Sequence, residues 1–141
     1  MGSGIRFFYE DVDFRLPNIR NTKSWLRHVV SAEEKRLGEL NYIFCSDELL
    51  AGINLEYLRH NTLTDIITFD TSEDMALIEG EIFISLERVT ENAAKFKASF
   101  EQELLRVMVH GVLHLVGYGD KTASQKKIMR KKEDAYLSLR L

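Results

Sequence analysis

The segment HGVLHLVGYGD, residues 110–120, combines residue types and spacings that suit a metal ion. In an α-helix, residues four positions apart lie on the same face, so His110 and His114 point in the same direction. Gly117 is a natural helix terminator, and the short turn after it can bring Asp120 back toward both imidazoles. We therefore predict that His110, His114 and Asp120 bind one metal ion.

The number of ligands indicates what such a site would do. Three protein ligands with an exchangeable water are typical of catalytic zinc sites, whereas structural zinc sites have four protein ligands. The predicted cofactor is one Zn²⁺ ion per chain, with Mn, Ni or Fe as substitutes, because two imidazoles and a carboxylate also bind non-haem iron. The alternative is a pair of core histidines and an unrelated surface aspartate.

Around this segment, the hydrophobic pattern predicts an α+β fold of about four short strands in a mixed sheet. The predicted strands cover residues 5–10, 40–46, 64–70 and 80–85. The predicted helices cover residues 19–38, 49–57, 86–97, 99–117 and 124–139. Ser99 and Gln102 form a capping box at the start of helix 99–117. This helix is predicted to be central and buried, with the other helices covering it. It would carry the metal ligands, as in a zincin-like arrangement.

Composition limits the classes of protein to which the chain can belong. With 141 residues, 45% of them hydrophobic and 29% charged, it is predicted to be one globular domain over 1–141. Residues 1–4 have the composition of an expression remnant and are left out of the fold prediction. The single cysteine, Cys45, excludes a disulfide framework and a Cys-rich zinc knot within the chain. Since no apolar run approaches the ~20 residues of a membrane span, a cytoplasmic protein without membrane contact is expected.

Charged residues near the predicted site have two interpretations. The net charge of −3 argues against general adhesion to nucleic acid, although a basic cluster directly follows Asp120. Its members are Lys121, Lys126, Lys127, Arg130, Lys131 and Lys132. They form either an RNA-contacting patch or a solvated helix face.

Glu103 lies two turns before His110, about 10 Å along the helix, and is interpreted as a surface or structural carboxylate beside Arg106.

Three stretches of the chain resemble the YbeY family of bacterial endoribonucleases. HGVLHLVGYGD resembles the family hallmark HGxLHLxGYDH. INLEYLRHNTLTDIITFD (53–70) is similar to the family's LNxxYR…PTDVLSFP stretch, and GEIFISLERV (80–89) is similar to its GDIxIS strand and following helix. The resemblance covers most of the chain from about Leu40 onward.

The resemblance implies a metal-dependent, single-strand-specific endoribonuclease that acts in 16S rRNA 3′-end maturation and ribosome quality control. Its implied partners are rRNA or other single-stranded RNA and the ribosome or its small subunit, with no organic cofactor. It implies that Thr64, Asp65 and Thr68 lie near the metal. It also implies a catalytic, phosphate-binding arginine, for which Arg59 is the candidate.

The chain departs from the family pattern at three places. Gly119-Asp120 stands where the family usually has Asp-His, so the third ligand would be a carboxylate instead of an imidazole, and zinc accepts either. Leu63 replaces the family's proline. Leu58 occupies the position of the family's arginine, so Arg59 is displaced by one residue.

Two other functions remain open. The spacing HxxxHxxGxxD matches the ligand layout of metzincin-type zinc peptidases, but Gly111 stands where the HExxH helix has its catalytic glutamate. A non-catalytic, metal-stabilised, ribosome-associated module is the other alternative, and Asp120 in place of the usual histidine is the feature that favours it.

Overall fold

The strands form one mixed sheet. In the computed structural model, which describes residues 4–58 and 64–140, the strands are β1 (Gly4–Tyr9), β2 (Arg36–Cys45), β3 (Ile66–Asp70) and β4 (Leu77–Ser85). Their order is β1-β2-β4-β3. β1, β2 and β4 run parallel, whereas β3 pairs antiparallel with β4. The α+β class and the number of strands are confirmed.

The helices surround one central member. They are α1 (Ile19–Ala32), α2 (Asp47–Leu58), α3 (Leu86–Lys95), α4 (Phe100–Val116) and α5 (Ala123–Ser138). α4 contacts β3 and β4 on one side and α1, α3 and α5 on the others, so the prediction of a central helix is confirmed. Within the described residues, none of the helices has both the length and the apolar character to cross a membrane.

Apolar burial and one hydrogen bond from a tyrosine hydroxyl fix α4 against the sheet. Met108, Val112 and Leu113 of α4 are fully buried. The Tyr42 hydroxyl of β2 donates to the Met108 carbonyl over 2.8 Å inside the core. Burying side chains of this size contributes roughly 1.5–3 kcal/mol each. The helix that carries both histidines is therefore held rigidly beneath the sheet.

The predicted boundary between α1 and β2 was wrong. α1 ends at Ala32 and not at Leu37-Gly38, because Glu34 adopts a left-handed conformation with φ 61°. The Lys35 amide then donates to the Val30 carbonyl over 3.1 Å, which closes the helix without a glycine. Gly38 instead lies within β2, where the Glu79 side chain occupies the space of a missing Cβ. A glycine between two apolar segments was mistaken for a helix stop.

Two strands also extend further than predicted. β4 begins at Leu77, three positions before the predicted Gly80, because the long β2 offers Arg36 and Leu37 as pairing partners. Gly4 was excluded from the fold prediction, but it pairs with Glu39 as the first residue of β1. Strand pairing, which the local sequence does not show, decided both boundaries.

Candidate metal centre

Both ends of α4 are fixed by local hydrogen bonds. The Ser99 hydroxyl accepts from the Gln102 amide over 3.0 Å, and the Gln102 side-chain oxygen accepts from the Ser99 amide over 3.2 Å. At the other end Gly117 takes φ 126°, and the Tyr118 amide donates to the Leu113 carbonyl over 3.0 Å. The predicted capping box and glycine stop are confirmed. Together they set where the chain leaves the helix and turns back.

The structure brings the three predicted ligands together. One carboxylate oxygen of Asp120, Oδ2, lies 3.3 Å from His110 Nε2 and 3.3 Å from His114 Nε2. The ligand atoms of all three residues lie within 4.8 Å of one another. Around a tetrahedral Zn²⁺ ion with bonds of about 2.0–2.1 Å, ligand atoms are separated by about 3.3–3.4 Å. The donor types and their spacing therefore fit a zinc ion.

The group is open on one side. The exposed fraction of the side chain rises from 19% at His110 through 25% at His114 to 40% at Asp120. Within residues 4–58 and 64–140, no fourth histidine, cysteine or carboxylate joins the three. A bound ion would keep a position on the Asp120 side that solvent or substrate can reach. Three protein ligands with an open position are typical of catalytic zinc sites.

Each histidine is oriented by a hydrogen bond at its other ring nitrogen. His110 Nδ1 lies 2.6 Å from Glu133 Oε2, and His114 Nδ1 lies 3.0 Å from the Tyr118 carbonyl oxygen. Because a carboxylate and a carbonyl can only accept, both Nδ1 atoms donate. The lone pair of each neutral ring is then on Nε2, which faces Asp120. Metal-binding histidines commonly have such partners.

Glu133 contacts one of the predicted ligands, and the sequence analysis did not identify it. Its side chain in α5 is only 6% exposed, and Arg106 of α4 binds it with 2.9 Å between Nη1 and Oε1. Burial would lower the pKa of His110, but the hydrogen bond to Glu133 and the nearby carboxylates raise it. Its spacing in the sequence could have indicated burial, because Glu133 lies on the same face of α5 as the buried residues Met129 and Tyr136.

The loop after α4 is held by a second buried carboxylate, Glu33. The Tyr118 hydroxyl donates to Glu33 Oε1 over 2.7 Å, Lys132 Nζ to Oε2 over 3.1 Å, and the Tyr136 hydroxyl also to Oε2. Burial would raise the pKa of Glu33, but these hydrogen bonds lower it. Tyr118 thus joins Glu33 to the metal centre, because its own carbonyl orients His114.

The family-derived residues fall into two groups. Asp65, just before β3, is close enough to His110 and Asp120 for their charges to affect its pKa, which burial raises. Asn92 Nδ2 donates to Asp65 Oδ2 over 3.3 Å, and the Thr64 hydroxyl binds the Ile66 carbonyl. Asp65 therefore lies beside the candidate site, as expected. The predicted catalytic Arg59, together with His60 and Leu63, lies outside the described residues.

Packing explains why residue 111 is glycine. A Cβ added to Gly111 would lie 2.9 Å from Ile82 Cδ1 and 3.1 Å from Ile66 Cδ1, so this face of α4 is pressed against the sheet. A glutamate at this position would collide with β3 and β4. The helix therefore has neither the catalytic glutamate of HExxH peptidases nor room for it.

Glu103 and Lys132 are less exposed than a solvated surface position would be. Glu103 is buried, with 6% of the residue exposed, and Arg106 pairs with Glu133 and Asp134 instead. In the basic cluster, Lys132 is partly buried against Glu33, so it is a structural residue. The remaining members, Lys121, Lys126, Lys127, Arg130 and Lys131, are exposed.

Known proteins share the sequence of this chain over nearly its whole length. A family model described as Endoribonuclease YbeY matches residues 9–139. The chain belongs to the YbeY family. An endoribonuclease YbeY of Amoebophilus asiaticus is 50% identical over 135 residues, covering 96% of this chain and 92% of the relative. One from Cytophaga hutchinsonii is 50% identical over 136 residues, covering 96% and 95%.

A solved structure shares the YbeY-family fold described above. The solution structure of TM1509 from Thermotoga maritima has a TM-score of 0.68 and 32% sequence identity to this chain. The match covers 96% of this chain and 88% of that one. The resemblance seen in the sequence from about Leu40 therefore extends over nearly the whole fold.

Proposed function

We propose that this YbeY-family chain is a metal-dependent endoribonuclease that cleaves single-stranded RNA. The observation that carries the proposal is the convergence of His110, His114 and Asp120 at separations that suit one zinc ion with an open side. The relatives' name, endoribonuclease YbeY, supports RNA as the substrate class. In the cell, the proposed task is 16S rRNA 3′-end maturation and ribosome quality control, carried out in the cytoplasm by a single domain.

His110, His114 and Asp120 would hold the ion, and the surrounding residues would keep these ligands in place. When bound, a zinc ion supplies a Lewis acid for a phosphoryl oxygen and lowers the pKa of a coordinated water. Glu133 and the Tyr118 carbonyl fix the tautomers and ring orientations of the two histidines. Arg106 pairs with Glu133, with 2.9 Å between Nη1 and Oε1, and holds this carboxylate against His110.

The phosphate needs a cation during cleavage. Negative charge grows on its oxygens as the bond to water forms, and a positioned cation stabilises that charge. We assign this role to Arg59, which follows directly after α2. The exposed lysines after Asp120 are proposed to bind the RNA backbone and the small ribosomal subunit through counterion release, whatever the base sequence.

A histidine substitution tests this proposal. His114→Ala removes one of three ligands and is expected to abolish stoichiometric zinc uptake and RNA cleavage without unfolding the chain. His28→Ala is the matched control, because His28 lies on the exposed face of α1. Zinc content by mass spectrometry, cleavage of labelled single-stranded RNA, and circular dichroism are measured on each variant, with and without a chelator.

The outcomes separate the three candidate functions. Full RNA cleavage by the His114→Ala variant would remove the metal from the mechanism. Cleavage of casein, but not RNA, by the zinc-loaded wild type would assign the chain to the peptidases. Bound zinc with neither activity would identify a non-catalytic module.

A further inference from the structure

The polar side chains of α4 form a single stripe that extends beyond the metal centre. After Gln102 they are Glu103, Arg106, His110 and His114, at spacings of three, four and four residues. Such spacings place all four on one helical face. The metal centre uses only the C-terminal half of this stripe. The N-terminal half, Glu103 with Arg106, faces a cavity.

This cavity lies between the end of α3, the start of α4 and α5. Its volume is about 700 Å³, and its walls include Phe96, Glu103, Arg106 and Leu137. Arg106 lies only about 6 Å from His110 along the helix axis. Arg106 lines the cavity, and its ion-pair partner Glu133 binds His110, so one ion pair links the cavity to the metal centre.

The charges around the cavity balance. The charged residues in its walls are Arg106, Arg130, Arg140, Glu101, Glu103 and Asp134. Three cations beside three carboxylates do not select a phosphate group. Apolar walls from Leu105 and Leu137, combined with hydrogen-bond donors and acceptors, instead suit a flat, uncharged heterocycle that carries both kinds of group.

Glu103 gives the cavity an unmatched acceptor. It is 6% exposed, yet within residues 4–58 and 64–140 no side-chain hydrogen bond to its carboxylate is formed. Because Glu103 lines the cavity, its carboxylate can accept a hydrogen bond from a ligand bound there. Carboxylates accept hydrogen bonds from the amino groups of nucleobases, as from N4 of cytosine.

Phe96 supplies an aromatic surface at the cavity. Its residue is 55% exposed, and Lys95 Nζ lies 5.7 Å from the centre of its ring. Lys97 on the other side of Phe96 is also exposed. Exposed aromatic rings flanked by cations are the means by which proteins stack bases of single-stranded nucleic acids while holding the backbone.

We propose that this cavity binds one nucleobase of the single-stranded RNA substrate, next to the phosphodiester at the metal centre, and prefers a base with an exocyclic amino group. Phe96 stacks on the base and Glu103 accepts from its amino group. The inference rests on the proposed ribonuclease function, because it assigns the cavity to the same substrate. It predicts a preference for adenine, cytosine or guanine over uracil at one nucleotide beside the cut.

Binding of short single-stranded DNA tests the cavity separately from RNA cleavage. Labelled pentamers of oligo-dA, oligo-dC and oligo-dT are titrated with zinc-loaded protein and followed by fluorescence anisotropy. Phe96→Ala is expected to weaken binding of oligo-dA and oligo-dC by about 5- to 150-fold, the effect of losing one stacked base. Phe8→Ala is the matched control, since Phe8 is an exposed aromatic residue of β1 and does not line the cavity.

Glu103→Gln, which replaces one carboxylate oxygen by an amide nitrogen, should reduce the preference for oligo-dC over oligo-dT while leaving zinc content unchanged. Equal binding by the wild type, Phe96→Ala and Phe8→Ala would overturn the proposal, as would a wild type that does not distinguish oligo-dC from oligo-dT. If the wild type cleaves RNA but shows no effect of Phe96, only the cavity assignment fails. If Phe96 and Glu103 behave as expected but RNA is not cleaved, the ribonuclease proposal fails instead.

Discussion

Two buried glutamates support the metal centre through different partners. The side chains of Glu133 and Glu33 are each 6% exposed, and each is paired with a basic residue, Arg106 and Lys132 respectively. Glu133 touches a ligand directly, through His110 Nδ1. Glu33 touches none of the three ligands. It holds Tyr118, whose carbonyl orients His114.

The two glutamates therefore act on different properties: Glu133 acts on a metal ligand, and Glu33 acts on the position of a loop. A carboxylate that accepts from a metal-binding imidazole fixes its tautomer and makes it a stronger donor, so its loss acts on metal affinity. A carboxylate that joins α1, the loop after α4 and α5 acts mainly on the free energy of unfolding. Similar burial and similar charge thus serve different purposes, depending on the atom that each carboxylate contacts.

Among changes to these two glutamates and their partners, the largest effect is expected from Glu133→Gln. Loss of the carboxylate removes the acceptor charge at His110 Nδ1, and zinc affinity should fall by about 10- to 100-fold. Competition with a chromophoric chelator measures this. Asp134→Asn is the matched control, because Asp134 also binds Arg106 but does not contact His110. Equal losses in both variants would show that Arg106, and not the carboxylate at His110, controls affinity.

Glu33→Gln should act on stability more than on zinc affinity. Removing the ionised acceptor of three hydrogen bonds should cost about 1–3 kcal/mol of unfolding free energy at pH 7. Because the folded-state pKa of Glu33 is below its ordinary value of 4.5, this contribution is present above that pH and is lost as the pH falls through the folded-state pKa. Urea unfolding of the wild type and of Glu33→Gln, at pH 7 and in acid, measures the difference in their unfolding free energies. This difference should be smaller in acid. A difference that is the same at both pH values would contradict the role of the ionised form.

Tyr118→Phe is expected to have a smaller effect. It removes one hydrogen bond to Glu33 but keeps the backbone carbonyl that orients His114, so stability should fall by about 1 kcal/mol. Zinc affinity should change less than in Glu133→Gln. A loss of affinity as large as that in Glu133→Gln would mean that the loop, and not the buried carboxylate, dominates ligand placement. Urea unfolding and chelator competition measure both quantities.

The smallest effect is the coupling between the two glutamates. Their hydrogen-bond partners differ, so the unfolding free energies lost in Glu33→Gln and Glu133→Gln should add to within about 0.5 kcal/mol in the double variant. The double-mutant cycle is measured by urea unfolding without zinc. A larger deviation would show that the two networks form one cooperative unit through the adjacent residues Lys132 and Glu133.

The sequence by itself determined the local parts of the site. His110 and His114 share a face because of helical periodicity, and Gly117 ends the helix because it can take a positive φ. The capping box at Ser99 was equally readable, since its hydrogen bonds join residues three positions apart. These features depend on neighbours in the chain, so their spacing alone is enough to predict them.

Only the tertiary structure decided which distant residues complete the site. Glu133 lies 23 positions after His110, and Glu33 lies 85 positions before Tyr118, so no local pattern joins them. The burial of Glu103 and the extent of β2 likewise follow from packing between elements that are far apart in the sequence. Periodicity fixes which side of a helix a residue is on, but the identity of the element packed against that side is a property of the whole fold.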